Sequence, residues 1–439
     1  MTIIILLMLI IPIAGCCSPI DSEASSVNYD DAESLTVFFY PSDQNYTKFN
    51  IVKNKILMRY GIKVEPYPGI SSFDDLTPEF MMKLSAEIMS GKGPDIFLFD
   101  SNEPFEDINK KMDAGVFYDL NDFINADDSF DINDYEQKIM DAGMYKGKRY
   151  IMPLSYNVPM LITTKEKLNS FGYDTADFSD FDRFISSWES VQRRKNISLI
   201  KLDHYVDWMG YAISYYGFLD ECIDFEENQI NLETPVFRKI MDIYKSDYID
   251  AHSYIDSDIS KVSSDFLFIF SGSVQRSLGE ISNCERWDDI VILTHPNAFG
   301  SGAASIVDYC MISINCKNPD VAWDLVKMML SDSVQNTLKS DSNFNRISVR
   351  KGSINRIIES SFIRNSVNGA DNDEVIEMLT HIYNSYDNVV LPFFRGYKVA
   401  MCMEDYFMNV ENYFMNYDGI DFDKLKDETK NYLNIWMSE

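Results

Sequence analysis

The chain has 439 residues, 46% of them hydrophobic and 14% aromatic, which supplies a large core and excludes a disordered polymer. Its formal charge of −30 repels phosphate backbones and anionic headgroups, so nucleic acid is a poor partner, and no long run of Lys and Arg offers a local exception. Length alone suggests about three domains.

The first segment, Ile3 to Ala14, is apolar but too short to span about 30 Å of hydrocarbon, and it fits the apolar region of a signal peptide. No Lys or Arg precedes it, a departure from the usual positive start. It ends in Ile13-Ala14-Gly15-Cys16, which resembles a bacterial lipobox. That resemblance implies a signal peptide over 1–15 and a lipid on Cys16 that anchors the protein to the outer face of the cell membrane. Residues 16–34 are rich in Ser, Asp and Glu and read as a tether. Of the seven cysteines, Cys17 neighbours the anchor and the rest are scattered, with no dense disulfide framework. Cys310 and Cys316 share one strand-like segment, roughly 20 Å long if extended, and cannot pair within it. Buried free thiols are expected for most of Cys222, Cys284, Cys310, Cys316 and Cys402.

Leu35 to Tyr40 is a short apolar run stopped by Pro41-Ser42-Asp43, the pattern of a buried strand feeding a loop. A helix is expected over Asn50 to Tyr60, closed by Gly61, then a strand over Ile62 to Glu65. Phe80, Leu84 and Ile88 repeat at helical spacing with Gly91 placed to end the helix, and Gly93-Pro94-Asp95 turns into a buried strand reaching Phe99. Strand, helix, strand, helix, strand predicts a parallel sheet with helices on its faces. Phe266 to Phe270, Ile290 to Leu293 and Ala304 to Ile314 supply later strands. Asn318 is a good N-cap residue, and Pro319 suits the first helical position. No fixed repeat period is present.

Five motifs then stand in order: Ser90-Gly91 with Gly93-Pro94-Asp95-Ile96; Gly115 to Leu120, of the form Gly-x-x-x-Asp-Leu; Gly147-Lys148-Arg149-Tyr150-Ile151-Met152-Pro153; Asn318 to Lys327; and a closing stretch with Glu404 and Tyr413-Phe414. Together they resemble the family 1 extracellular solute-binding proteins, the substrate-binding components of bacterial ABC importers. The resemblance implies a two-lobed α/β fold of the periplasmic-binding-protein type, each lobe a mostly parallel sheet flanked by helices, with a hinge and an interlobe cleft. It implies lobe one at 35–152 plus 303–349 and lobe two at 153–302 plus 350–439. It also implies a monomer that takes no cofactor or metal, binds a small solute, an oligosaccharide above all, and delivers it to permease subunits.

Catalytic signatures do not compete with this reading. There is no Gly-x-Ser-x-Gly elbow, and His204, His252, His295 and His381 form no His-Glu-x-x-His pair. Gly300-Ser301-Gly302 lacks the remaining residues of a phosphate-cradling loop. With 69 acidic residues, close carboxylate pairs arise by chance, so they do not argue for a glycoside hydrolase. A peptide or polyol binder and a ligand-sensing lipoprotein remain the other readings.

A sugar offers hydroxyls and apolar C–H faces, so its site needs aromatic platforms and a few polar groups. Ligands of open α/β lobes gather beyond the carboxyl ends of strands. By resemblance, Tyr40 and Asp43, then Phe99, Asp100 and Asn102, then Ser155, Tyr156 and Asn157, then Tyr205, Asp207 and Trp208 line the cleft, with Ser271 after a later strand. Phe99 also fits the end of a core strand, and Trp208 also fits a core position, with Met209, Ala212 and Ile213 following at helical spacing.

Overall fold

The computed structural model describes residues 33–39, 43–70, 75–99, 108–178, 180–184, 186–187, 198–201, 222–224, 227, 229–235, 238, 266–271, 289–296, 302–335, 346–358, 372–386, 388–390, 426–427, 430–431 and 433–435. Glu404, Tyr413, Phe414, Cys17, Cys284 and Cys402 lie outside them.

The chain opens as expected, with β1 (Ser34–Phe39), α1 (Asp43–Tyr60), β2 (Lys63–Pro66), α2 (Pro78–Met89) and β3 (Ile96–Phe99). β1 pairs in parallel with β2 on one side and β3 on the other, as strands joined by crossover helices do. α1 starts at Asp43 rather than Asn50, because its first turns are polar and carry no apolar stripe to read. Phe49, Val52 and Ile56 then bury its inner face. Gly61 and Gly91, after α1 and α2, adopt φ of 68° and 76°, the left-handed region that costs glycine least.

The Gly93-Pro94-Asp95 motif is a packing device. A Cβ on Gly93 would fall 2.8 Å from Ile88 Cγ1, so only glycine lets this turn lie against α2. Asp95 Oδ2 accepts hydrogen bonds from Thr36 N (2.8 Å) and Thr36 Oγ1 (2.9 Å), and Lys317 N donates to Oδ1 at 3.4 Å. One carboxylate thus ties β1 to β3 and to the turn before the late helix. Asp95→Ala is expected to cost about 2–3 kcal/mol, because it strands the Thr36 donors. A urea denaturation curve measures it; an unchanged midpoint and slope would remove this role from Asp95.

Three short helices follow: α3 (Ile108–Asp113), α4 (Leu120–Ala126) and α5 (Gln137–Asp141). Asp119, in the Gly-x-x-x-Asp-Leu motif, caps α4 by accepting from Asn121 N at 3.0 Å and also accepts from Arg149 N at 3.0 Å. The Gly147 to Pro153 motif runs through two units. β4 (Met144–Tyr145) and β5 (Lys148–Arg149) form a hairpin, and β6 (Met152–Asn157) follows. Lys146 and Gly147, at φ 48° and 76°, make the two-residue turn whose twist suits such a hairpin.

After β6 come β7 (Met160–Thr164), α6 (Lys165–Phe171), β8 (Ser198–Lys201), β9 (Ile223–Asp224), β10 (Gln229–Ile230), β11 (Phe266–Ser271), β12 (Ile290–Thr294) and β13 (Ala303–Ile312). Among the described residues after β13 stand α7 (Pro319–Leu330), α8 (Asp332–Gln335), β14 (Ile347–Ser348), α9 (Ser353–Ile358), α10 (Asn372–Asn384) and β15 (Asn388–Val390). Pro319 starts α7 as expected. Asn318 occupies the cap position but makes no capping bond; its side chain turns away and donates to Glu33 Oε2 at 3.2 Å.

Two sheets organise these elements. The larger runs β14–β6–β13–β3–β1–β2, with β15 beside β13; the smaller runs β12–β7–β11–β8. Pairing is parallel within β1, β2 and β3, between β13 and β15, and between β8 and β11. β6 and β13, which connect the two sheets, enter the larger one with β13 antiparallel to both β3 and β6, because the returning chain arrives from the opposite end. The chain leaves the larger sheet after Asn157 and joins the smaller at Met160, so a division at Pro153 falls inside β6. Every residue of β13 is buried. Cys222, Cys310 and Cys316 are buried free thiols, as expected for them, and burial pushes the Cys316 thiol up to about 12.

Candidate functional site

Side chains alternate along a strand, so Ser155 and Asn157 share one face of β6 and Tyr156 takes the other. Tyr156 is 2% exposed with its ring 6.0 Å from that of Tyr386; burial first, then Tyr386, holds its hydroxyl well above the ordinary tyrosine value. Tyr156 and Asn157, expected to meet one ligand together, therefore point apart.

On the Ser155 face, β13 delivers a carboxylate into an apolar strand. The β13–β6 register shifts on both sides of Asp308, a bulge that turns this side chain toward Ser155. Ser155 Oγ donates to Asp308 Oδ2 and accepts from Asp308 N at 3.1 Å. Lys48, from α1, lies 3.5 Å from the same carboxylate oxygen, and Arg346, just before β14, donates through Nη1 to the other. Lys48 and Asp308 have fully buried side chains. Burial pulls the Lys48 ammonium below its ordinary value, with Arg346 adding repulsion and Asp308 opposing both. Burial would raise the Asp308 carboxyl, but Arg346 and Lys48 outweigh it and hold it below the usual carboxylate range.

Strand register locates this cluster. Tyr309 is opposite Phe99, so Asp308 stands one step past the carboxyl end of β3, and α1 departs from the carboxyl end of β1. Asn157 is opposite Ser305 at the point where β6 leaves for the smaller sheet. Across the passage, Ser271 ends β11 opposite Met160, the first residue of β7. The cluster thus lies where the two sheets meet, at the strand ends that collect ligands in open α/β folds. Asn157 Oδ1 is buried there and accepts no hydrogen bond among the described residues.

Tyr156 apart, the structure sorts the expected site residues into four groups. Ser155 and Asn157 join one polar face at the passage. Phe99 is fully buried, with ring centroids 5.7 Å from Phe38, 5.8 Å from Phe97 and 5.2 Å from Tyr309, and it serves the core. Asp43 opens α1 and Ser271 closes β11. Tyr40, Asp100, Asn102, Tyr205, Asp207, Trp208 and Cys16 lie outside the described residues. Sequence reasoning missed Lys48, Asp308 and Arg346. Asp308 had a readable signal, a lone carboxylate inside Ser305-Ile306-Val307-Asp308-Tyr309; Lys48 and Arg346 had none.

A surface pocket between α1, α4 and α7 is lined by Tyr60, Phe123, Asp127, Trp323 and Lys327 among others. Within it, Lys327 Nζ bridges Asp127 (2.5 Å) and Asp324 (2.7 Å), and Trp323 Nε1 donates to Asp127 at 2.9 Å. These bonds, that from Lys327 first, hold the Asp127 carboxyl well below the usual range. Among the described residues, no group of three or more His, Cys, Asp or Glu could hold a metal ion, and no helix is long and apolar enough to cross a membrane.

The sequence profile of bacterial extracellular solute-binding proteins matches residues 61–359, more than half of the chain. The chain belongs to this family. Among solved structures, this solute-binding protein is similar to the sugar-binding protein MalE from the phytopathogen Xanthomonas citri, with a TM-score of 0.62 at 13% identity, covering 92% of this chain and 97% of the other. It is also similar to an ABC substrate-binding protein from Listeria monocytogenes in complex with cycloalternan (TM-score 0.56, 14% identity, 93% of this chain and 100% of that one). The GacH receptor of Streptomyces glaucescens, solved unliganded and with acarbose, gives a TM-score of 0.54 at 13% identity over 93% of this chain and 99% of the receptor. No curated protein sequence matches the chain. The fold of this solute-binding protein is the two-lobed α/β architecture of those structures.

Proposed function

We propose that this solute-binding protein captures an extracellular oligosaccharide between its lobes, without covalent chemistry, and delivers it to an ABC-type permease. The observation that carries the reading is the polar face at the passage between the sheets, where Ser155, Asn157, Asp308 and Arg346 converge at strand ends and Asn157 Oδ1 accepts no hydrogen bond among the described residues. The structural neighbours determined with cycloalternan and acarbose support a saccharide as the solute. Lobe one is taken as 35–157 with 303–349 and β15, and lobe two as the intervening residues with the rest of the C-terminal part; the place of β6 and β15 in the larger sheet supports a division at 158–159 rather than at Pro153. Tyr40, Asp43, Asp100, Asn102, Tyr205, Asp207, Trp208 and Ser271 complete the cleft. Capture works by closure, which requires the solute to bind the closed state better than the open one. The chain acts as a lipid-anchored monomer, with Cys16 as the anchor and 16–34 as the tether.

A thermal-shift screen of mono- and oligosaccharides, with peptides and polyols alongside, tests the reading, since a ligand selective for the folded state raises apparent stability by about 2.7 kcal/mol at a hundred times its Kd. An oligosaccharide is expected to raise Tm and to be recovered intact. A shift produced only by peptides or polyols, or product accumulating beyond one equivalent, would overturn it.

A further inference from the structure

Within the buried ion cluster, Arg346 alone reaches solvent: its side chain is 14% exposed, against 0% for Lys48 and Asp308. β14 pairs with β6 through Ile347 opposite Tyr156 and Ser348 opposite Ser155, so Arg346 stands level with Asn157, which in turn is opposite Ser305. Arg346, Asn157 and Ser305 form a row across the larger sheet at the end where the chain departs for the smaller one. Arg346 meets Asp308 on the face that Ser155 and Asn157 share.

The chemistry of that row is complementary. A guanidinium carries five donors in a rigid plane and accepts nothing, and one carboxylate can fix that plane while the group addresses a second partner. Asp308, buried and held by Ser155 and Lys48, is an anchor of that kind. Asn157 adds the reverse polarity, a buried Oδ1 that accepts no bond among the described residues. A donor beside an acceptor matches two adjacent hydroxyls, one accepting from the guanidinium and the other donating to the amide oxygen.

We propose that Arg346 is a specificity-determining ligand contact, positioned by Asp308, that reads a vicinal diol of the bound saccharide together with Asn157. This rests on the oligosaccharide reading and adds to it the residue and the hydroxyl pattern recognised.

Calorimetry with maltotriose, mannotriose, cellotriose and N-acetylchitotriose supplies the probe, the tightest binder of the four, and its monodeoxy analogues. Arg346→Ala is expected to weaken binding of the probe between about tenfold and a hundredfold. The deoxy analogue lacking the contacted hydroxyl should bind the wild type correspondingly weakly and should lose little more on Arg346→Ala, a non-additivity that a purely structural arginine would not produce. Arg346→Lys should recover part of the loss, and Asp308→Asn should weaken binding by roughly tenfold per folded molecule. Arg350→Lys, on a residue that pairs with Asp134 and Asp332 instead, should leave affinity unchanged. If Arg346→Ala does not fold, Arg346→Lys and Asp308→Asn carry the test through the same cycle. Binding of the probe by Arg346→Ala within twofold of wild type, or equal losses for every deoxy analogue, overturns the assignment while leaving saccharide capture standing. Failure of the wild type to bind any of the four removes the saccharide reading, and this assignment with it.

Discussion

Asp308→Ala is expected to lower the unfolding free energy by about 3–5 kcal/mol at neutral pH. Asp308 is the carboxylate shared by Lys48, Arg346 and Ser155, and both Lys48 and Asp308 are fully buried. Removing it leaves the Lys48 ammonium without a counter-ion in a low-dielectric interior, next to a second cation. Lys48 escapes part of that cost by releasing its proton, since burial and Arg346 already hold its pKa below the ordinary value. The sign of the pH dependence follows from Asp308 itself. Its folded pKa is lowered, so its contribution is complete above the unfolded carboxylate value and is lost as pH falls through the folded one. Denaturation curves at neutral and acidic pH should therefore show the wild type and variant diverging at neutral pH and converging in acid. A constant difference at all pH values would make the loss one of packing alone.

Phe99→Ala is expected to cost about 3–5 kcal/mol of stability and to leave ligand affinity per folded molecule unchanged. Its ring is enclosed by Phe38, Phe97 and Tyr309, so truncation opens a cavity that the strands on either side cannot collapse to fill. Denaturation without ligand gives the first quantity and calorimetry the second. Near-normal stability with weakened binding would return Phe99 to the cleft.

Local chemistry was sufficient for much of the architecture. The alternation of apolar runs with helical spacing from Leu35 to Phe99 predicted the β1–α1–β2–α2–β3 order, because each element advertises its own buried face in its own period. Gly61, Gly91 and Pro319 marked helix boundaries for equally local reasons of allowed backbone angle. The ordered motifs pointed to the solute-binding family, whose profile covers residues 61–359. Within the structure several of those motif residues are braces: Asp95 bonds Thr36, and Asp119 bonds Asn121 and Arg149.

What the tertiary structure decided depends on partners far apart in the chain. Asn318 looked like a cap, yet Glu33 takes its side chain. Tyr156 and Asn157 looked like neighbours in a site, yet the pleat of β6 sends them to opposite faces. Lys48, Ser155, Asp308 and Arg346 come from four separate stretches of the chain, and nothing in the spacing of any one of them foretells the others. Their meeting is a matter of strand register and a bulge in β13, which are settled only when distant strands pair and their burial is shared.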